Sequence, residues 1–340
     1  MLKISPVTEP PGAGARIGVL DRNRTVLARI TRVVRAACGL AQVASEADPA
    51  GLRAQLSPDT QLLLCEAADL ELALEWAQTR FPQAQLVTWG PGPMDPIIDA
   101  AHGHGRLRSI LGWPSFLSMP RPWELALATR ACLRIHDAPL RIGELFAGVP
   151  VAAKYRPRTS AQRDLVTSEL SALAERAGAA GRLIGRIGET CHELLMNAMY
   201  DAPVNHYGEP RYAHDRRAAI TLDEHEVPTA RFATDGNLLA LQVADPFGRL
   251  TRAHVLASIR RGQAAATSAD TGRIIDASHG GAGLGLWKIH AAAAATIIDL
   301  VVGHSTTVTT VFDLDLGARE TRTLPPSLHI FDHAEVGSPP

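Results

Sequence analysis

Glu-Leu-Leu-Met-Asn-Ala at 193–198 and Gly-Gly-Ala-Gly-Leu-Gly-Leu at 280–286 decide how this chain is read. The first stretch lies in a helical pattern, so Glu193 and Asn197, four residues apart, project from one face. A carboxylate there can orient or deprotonate a hydroxyl nucleophile, and the Asn amide oxygen is a hard ligand suited to the Mg²⁺ carried by a nucleoside triphosphate. In the second stretch Gly281, Gly283 and Gly285 let the backbone approach an anion closely. The apolar run Leu284, Leu286, Trp287, Ile289 then opens a helix whose N-terminal amides can face phosphate oxygens. Between the two, 238–250 reads as an apolar strand that ends on Asp245 and a turn containing Gly248.

A helix with E-x-x-x-N-A, a strand ending in Asp, a lid-like segment and then G-x-G-L-G-L resembles, in that order, the GHKL or Bergerat-fold ATPases. This superfamily includes histidine-kinase ATP domains, anti-sigma serine kinases and gyrase-type ATPases, and the resemblance covers about residues 150 to 318. It implies an α+β sandwich that binds ATP with Mg²⁺. It also implies roles: Glu193 as general base, Asn197 as Mg²⁺ ligand, and Asp245 as acceptor for the adenine amino group. Gly248, Gly281, Gly283, Leu284 and Gly285 would line the nucleotide, and a hydroxyl among Ser305, Thr306 and Thr307, with Thr307 taken as the site residue, would lie near the adenine. A carboxylate at the base of an apolar pocket specifies adenine because it is satisfied only when that base is present.

The acidic turn departs from the family pattern D-x-G-x-G. Here it reads Asp245-Pro246-Phe247-Gly248-Arg249, with one glycine left and displaced by one position. Residues 251–279 would form the lid, with Arg260, Arg261, Arg273 and His279 mostly solvated.

Residues 1–14 are Pro/Gly-rich and expected to be a mobile N-terminus. From 15 to 140, short apolar runs at 16–21, 42–44, 61–65, 85–88 and 108–111 alternate with helical patterns at 25–37, 48–56, 70–80, 94–104 and 122–135. That alternation implies a doubly wound parallel α/β sheet. Its order and length are similar to a response-regulator receiver domain. The receiver chemistry is damaged, however: the first strand ends Asp21-Arg22, the third Cys65-Glu66, and the fifth Trp113-Pro114 without the lysine, while Thr88 stands near the expected hydroxyl position. An arginine in place of a second carboxylate weakens metal binding by charge alone, so a pseudo-receiver used for docking or dimerisation is expected.

Residues 141–150 read as a connector and 319–340 as a C-terminal tail. His136-Asp137-Ala138-Pro139-Leu140 is similar to the phospho-accepting box of histidine kinases, but no second long helix follows it. The strand pattern at 151–156 and the helix at 160–176 instead resemble the opening of the anti-sigma serine-kinase type of ATP domain.

Composition fits this reading. The chain has 340 residues, 46% hydrophobic and 20% charged, enough for two cores. A net charge of −1 argues against nucleic acid as a main partner. Lysine stands only at Lys3, Lys154 and Lys288 among 34 basic residues, a bias that says little about function. The four cysteines, Cys38, Cys65, Cys132 and Cys191, form no C-x-x-C pair, so neither zinc nor redox chemistry is indicated. No apolar run reaches about 18 residues and no basic-then-apolar leader opens the chain, so a cytoplasmic location away from the membrane is expected. The expected function is that of an ATP-binding signalling protein, a kinase acting on a partner such as a sigma, anti-anti-sigma or response-regulator protein, with a homodimer among the expected assemblies. The competing expectation is a non-catalytic switch whose lid, ordered by ATP, creates a partner surface.

Overall fold

The computed structural model describes residues 14–90, 95–113, 117, 119–134, 138–146, 148–270, 284–317, 320, 323 and 325–333. The chain divides into two compact units, Met1–Ala138 and Pro139–Pro340.

The first unit alternates strands β1 (Arg16–Leu20), β2 (Gln42–Glu46), β3 (Leu62–Glu66), β4 (Gln85–Gly90) and β5 (Leu107–Gly112) with helices α1 (Arg24–Ala37), α2 (Pro49–Gln55), α3 (Leu70–Thr79), α4 (Asp95–Gly103) and α5 (Pro122–Leu133). Its strands are parallel in the order β2-β1-β3-β4-β5, which is the flavodoxin-like doubly wound order. Sequence chemistry sets these boundaries. Asn23 Oδ1 accepts from the amides of Thr25 and Val26 to open α1, and Asp48 accepts from Gly51 N ahead of Pro49 to open α2. Val26, Leu27, Ile30 and Val34 then bury one stripe of α1, while the apolar run Leu62 to Cys65 of β3 is buried throughout.

The second unit is α+β. Strands β6 (Val151–Tyr155), β7 (Thr229–Thr234), β8 (Leu238–Asp245), β9 (Ala295–Val301), β10 (Ser305–Asp313) and β11 (Ser327–His333) are ordered β11-β9-β10-β8-β7-β6. All neighbours are antiparallel except β11 with β9. Helices α6 (Ser160–Arg176), α7 (Gly181–Met196), α8 (Arg252–Asp270) and α9 (Gly285–Ala292) accompany the sheet. Thr159 and Gln162 form a capping box at the start of α6.

Two expectations change. The segment 319–340, read as a tail, contains β11, which pairs along its whole length with β9 and is fastened by the buried pair His333 Nε2 and Asp299 Oδ1 at 2.7 Å. The lid expected over 251–279 begins as α8, whose Val255, Leu256 and Ile259 are buried, so its first half is packed helix; residues 271–279, with Arg273 and His279, lie outside the described residues. His136 and Asp137 lie outside them as well.

Candidate functional site

Helix α7 buries Leu183, Ile187, Thr190, Cys191, Leu194 and Leu195 at helical spacing, which turns Glu193 outward at its C-terminal end. The amide of Asn197 still bonds to Glu193 O, so the two side chains keep their i, i+4 relation. Immediately afterwards the helix widens into a π turn, Asn197–Asp201, closed by Ala202 N to Asn197 O at 2.9 Å. Such single π turns recur at functional positions. Met199 and Tyr200 anchor this one in a core with Met196, Ile220, Leu222 and Val227.

Gly285, the first residue of α9, faces the same pair. A Cβ at this position would sit 3.2 Å from Glu193 Oε2 and 3.6 Å from Asn197 Oδ1. A side chain here would therefore press on the Glu193 carboxylate and occupy the space between the helix start and the two polar groups. Leu284, at the N-cap of α9, offers no side-chain acceptor to the first-turn amides. Gly281 and Gly283 lie outside the described residues. Glu193 borders a cleft of ≈ 480 Å³ between α7 and α9 that Arg186, Glu189, Trp287 and Lys288 also line.

Asp245 ends β8. Its Oδ1 accepts from Phe247 N at 2.9 Å and Gly248 N at 3.4 Å. Burial pushes its pKa up to about 6, against the two amides, the Thr306 hydroxyl and Arg249, which favour the ionised form. Thr306 is the direct cross-strand partner of Asp245, and so shares its face of the sheet, whereas Thr307 pairs with Ala244 and points to the other face. The hydroxyl beside the acidic residue is thus that of Thr306, not Thr307; strand period 2 with an unknown register could not choose between them. The Thr306 Oγ1 atom is buried without a hydrogen bond of good geometry.

Gly248 has a structural reason to be glycine. Its φ is +59°, and a Cβ there would strike Val301 O and lie 2.6 Å from His304 N and 2.7 Å from Ser305 N, the backbone of the β9–β10 turn. Gly248→Ala is expected to destabilise the protein by roughly 2–4 kcal/mol in chemical denaturation, and a loss under about 1 kcal/mol would show that this turn is not pinned. Next to it, Arg249 Nη1 donates to Asp201 O at 3.2 Å and Ala202 O at 3.4 Å, tying the acidic turn to the π turn that follows Asn197.

Sequence reasoning missed Arg216 and Asp201. Arg216 Nη2 donates to Asn197 Oδ1 at 3.3 Å and lies 3.4 Å from Asp201 Oδ2 and 3.9 Å from Glu193 Oε2. Burial raises the pKa of Asp201, Arg216 opposes that shift and Glu193 adds to it. Asp201 stands eight residues after Glu193, a helical repeat legible in principle; Arg216 comes from an irregular segment with no periodicity to place it.

No family model matches the chain, and no curated protein matches it. Two solved structures are similar to part of the chain. A protein described as pilus assembly-related from Burkholderia pseudomallei is 18% identical with a TM-score of 0.29, over 36% of this chain and 90% of that one. The SiaB-SiaC complex from Pseudomonas aeruginosa is 15% identical with a TM-score of 0.31, over 48% of this chain and 88% of that one. Neither likeness is large enough to bear on the fold or function of this chain.

Proposed function

We propose that residues 151–318 form an adenine-nucleotide pocket of the GHKL kind and that the protein is a signalling ATPase or protein kinase acting on a partner protein. The observation that carries this reading is the approach of Gly285 to Glu193 and Asn197 across about ninety residues of sequence. It is supported by an α9 start without a side-chain cap, and by a half-buried Asp245 directly across the ladder from Thr306. These features fit a magnesium nucleotide: amides and a cradle that a Cβ would fill for phosphate, a hard amide oxygen for the cation, and a carboxylate with a hydroxyl for the base.

A bound magnesium nucleotide would supply an activated phosphoryl group. Glu193, hydrogen-bond competent and partly exposed at the cleft, orients or deprotonates a hydroxyl of the acceptor. Asn197 Oδ1 would hold the cation, and Asp245 would accept from the adenine amino group. Catalysis on this reading is positioning and electrostatics. The test is Mg²⁺-dependent thermal stabilisation by ATP and ADP, followed by incubation with labelled γ-phosphate alone and with cell extract. Stabilisation together with a labelled partner supports a kinase, and no stabilisation by either nucleotide overturns the pocket.

The first unit is proposed as a pseudo-receiver. Asp21 is buried, with its Oδ2 bonded by Trp89 Nε1 at 3.2 Å and its Oδ1 by Asn23 N at 2.8 Å, and burial raises its pKa. Arg22 is committed to Asp69 at 2.6 Å, and Thr88 is buried. Acetyl phosphate is therefore expected to leave the intact mass unchanged; a gain of one phosphoryl group on Asp21 or Glu66 would refute the proposal.

A further inference from the structure

We propose that Arg216 is a resident counter-cation at the metal position of this pocket, which a divalent cation arriving at Asn197 Oδ1 must displace. The inference rests on the nucleotide-pocket reading and adds to it a residue that sets how much metal the site demands.

One nitrogen, Arg216 Nη2, donates to Asn197 Oδ1 at 3.3 Å and faces two carboxylates, Asp201 Oδ2 at 3.4 Å and Glu193 Oε2 at 3.9 Å. All three acceptors stand at the C-terminal end of α7 and its π turn, where the helix dipole adds negative potential. The position attracts a cation, and in this structure the guanidinium supplies it. The fit is incomplete: the distances are long for charge-assisted bonds, and Arg216 Nε is buried without a partner. A permanent structural ion pair would use the planar fork bidentately. With its Nε unpartnered and a single hydrogen bond at Nη2, the guanidinium forms no bidentate pair that an arriving cation would have to break.

The backbone that presents Arg216 is firm. Tyr200 Oη donates to Ala218 O at 2.7 Å, and Ser160 Oγ accepts from Ile220 N at 2.9 Å, while Tyr212 and Ala218 pack on the core around Met199 and Tyr200. What can move is therefore the arginine side chain rather than its loop. Because a guanidinium and a divalent cation repel at this separation, they cannot share Asn197 Oδ1. Cation entry and Arg216 departure are one exchange.

The test uses the full chain as wild type, Arg216→Gln and Arg216→Lys. Mn²⁺ alone is titrated by electron paramagnetic resonance, and Mg²⁺ is titrated in the thermal shift produced by a fixed concentration of ATP. Arg216→Gln is expected to bind Mn²⁺ about threefold to tenfold more tightly than wild type and to need correspondingly less Mg²⁺ for half-maximal stabilisation, with Arg216→Lys between them. Equal or weaker Mn²⁺ binding in the Gln variant overturns the proposal. If the Gln variant does not fold, unchanged Mn²⁺ affinity in the Lys variant does the same. Absence of any nucleotide effect in wild type counts against the pocket instead, and the Mn²⁺ titration still decides the role of Arg216.

Discussion

Replacing Glu193 with Ala is expected to abolish phosphoryl transfer to a partner while leaving magnesium nucleotide binding nearly intact, because a positioned base contributes about 10²–10⁴-fold to rate and little to ground-state affinity. Asn197→Ala should do the reverse first, weakening Mg²⁺-dependent ATP binding, because its Oδ1 is the hard oxygen nearest the start of α9 after Glu193. A nucleotide-gated switch without chemistry gives a different pattern. There Glu193→Ala leaves partner recruitment untouched and Asn197→Ala eliminates it. One pull-down and one phosphorylation assay on both variants separate the enzyme from the switch. Equal loss of nucleotide binding in the two variants would end this division of labour.

The first unit was legible almost element by element, because parallel strands buried on both faces read as continuous apolar runs and Asx caps mark the helix starts. The boundaries expected at 25–37, 70–80 and 85–88 differ from α1, α3 and β4 by at most two residues at either end. In the second unit the helix bearing Glu193 was legible from its apolar stripe at helical spacing, and the strand ending in Asp245 from its apolar run. The strand β11 was not, since Ser327–His333 carries two histidines and an aspartate among its apolar residues and follows a Pro pair, a composition that reads as tail. Its burial depends on β9 and on the Asp299 pair, partners that no local pattern announces. The packed helix at the start of the expected lid was not legible either. A glycine and a run of alanines at 262–266 look loose in sequence, yet the same small residues let α8 lie against Trp287 of α9, where a Cβ on Gly262 would overlap the ring.

At the site, spacing alone was enough to pair Glu193 with Asn197, since helix period fixes their common face. Register was the missing quantity elsewhere. Thr306 and Thr307 differ by one residue and hence by a face of the sheet, and only the β8–β10 ladder shows that Thr306 lies opposite Asp245. Arg216 was out of reach for a different reason: it reaches the C-terminal end of α7 from an irregular loop, and long-range charge pairing leaves no signature in a single sequence.

Asp245→Asn is expected to weaken ADP and ATP by about 1–3 kcal/mol at neutral pH, through loss of a buried charge-assisted hydrogen bond. The same change should make the nucleotide-free protein more stable, and the two effects have opposite pH dependence. Burial holds the Asp245 pKa at about 6 against an ordinary 3.8, so the folded protein binds more protons than the unfolded chain between those values. Stability contributed by this group therefore falls as pH rises through that window and levels off above it, an ionisation cost of order 1–3 kcal/mol. Asparagine removes the cost and can still accept from Phe247 N and Gly248 N, so the variant should gain its advantage in denaturant at about pH 8 and lose most of it near pH 4. Nucleotide affinity runs the other way. Wild type should bind ADP progressively less well as pH falls through about 6, because a protonated carboxyl is a poorer acceptor for the adenine amino group, and the variant should lack that component. Calorimetric titrations of ADP across this range, paired with denaturation of the free proteins, test both signs together. An unchanged affinity with the predicted stability gain would leave Asp245 as a structural turn residue and remove it from the adenine site.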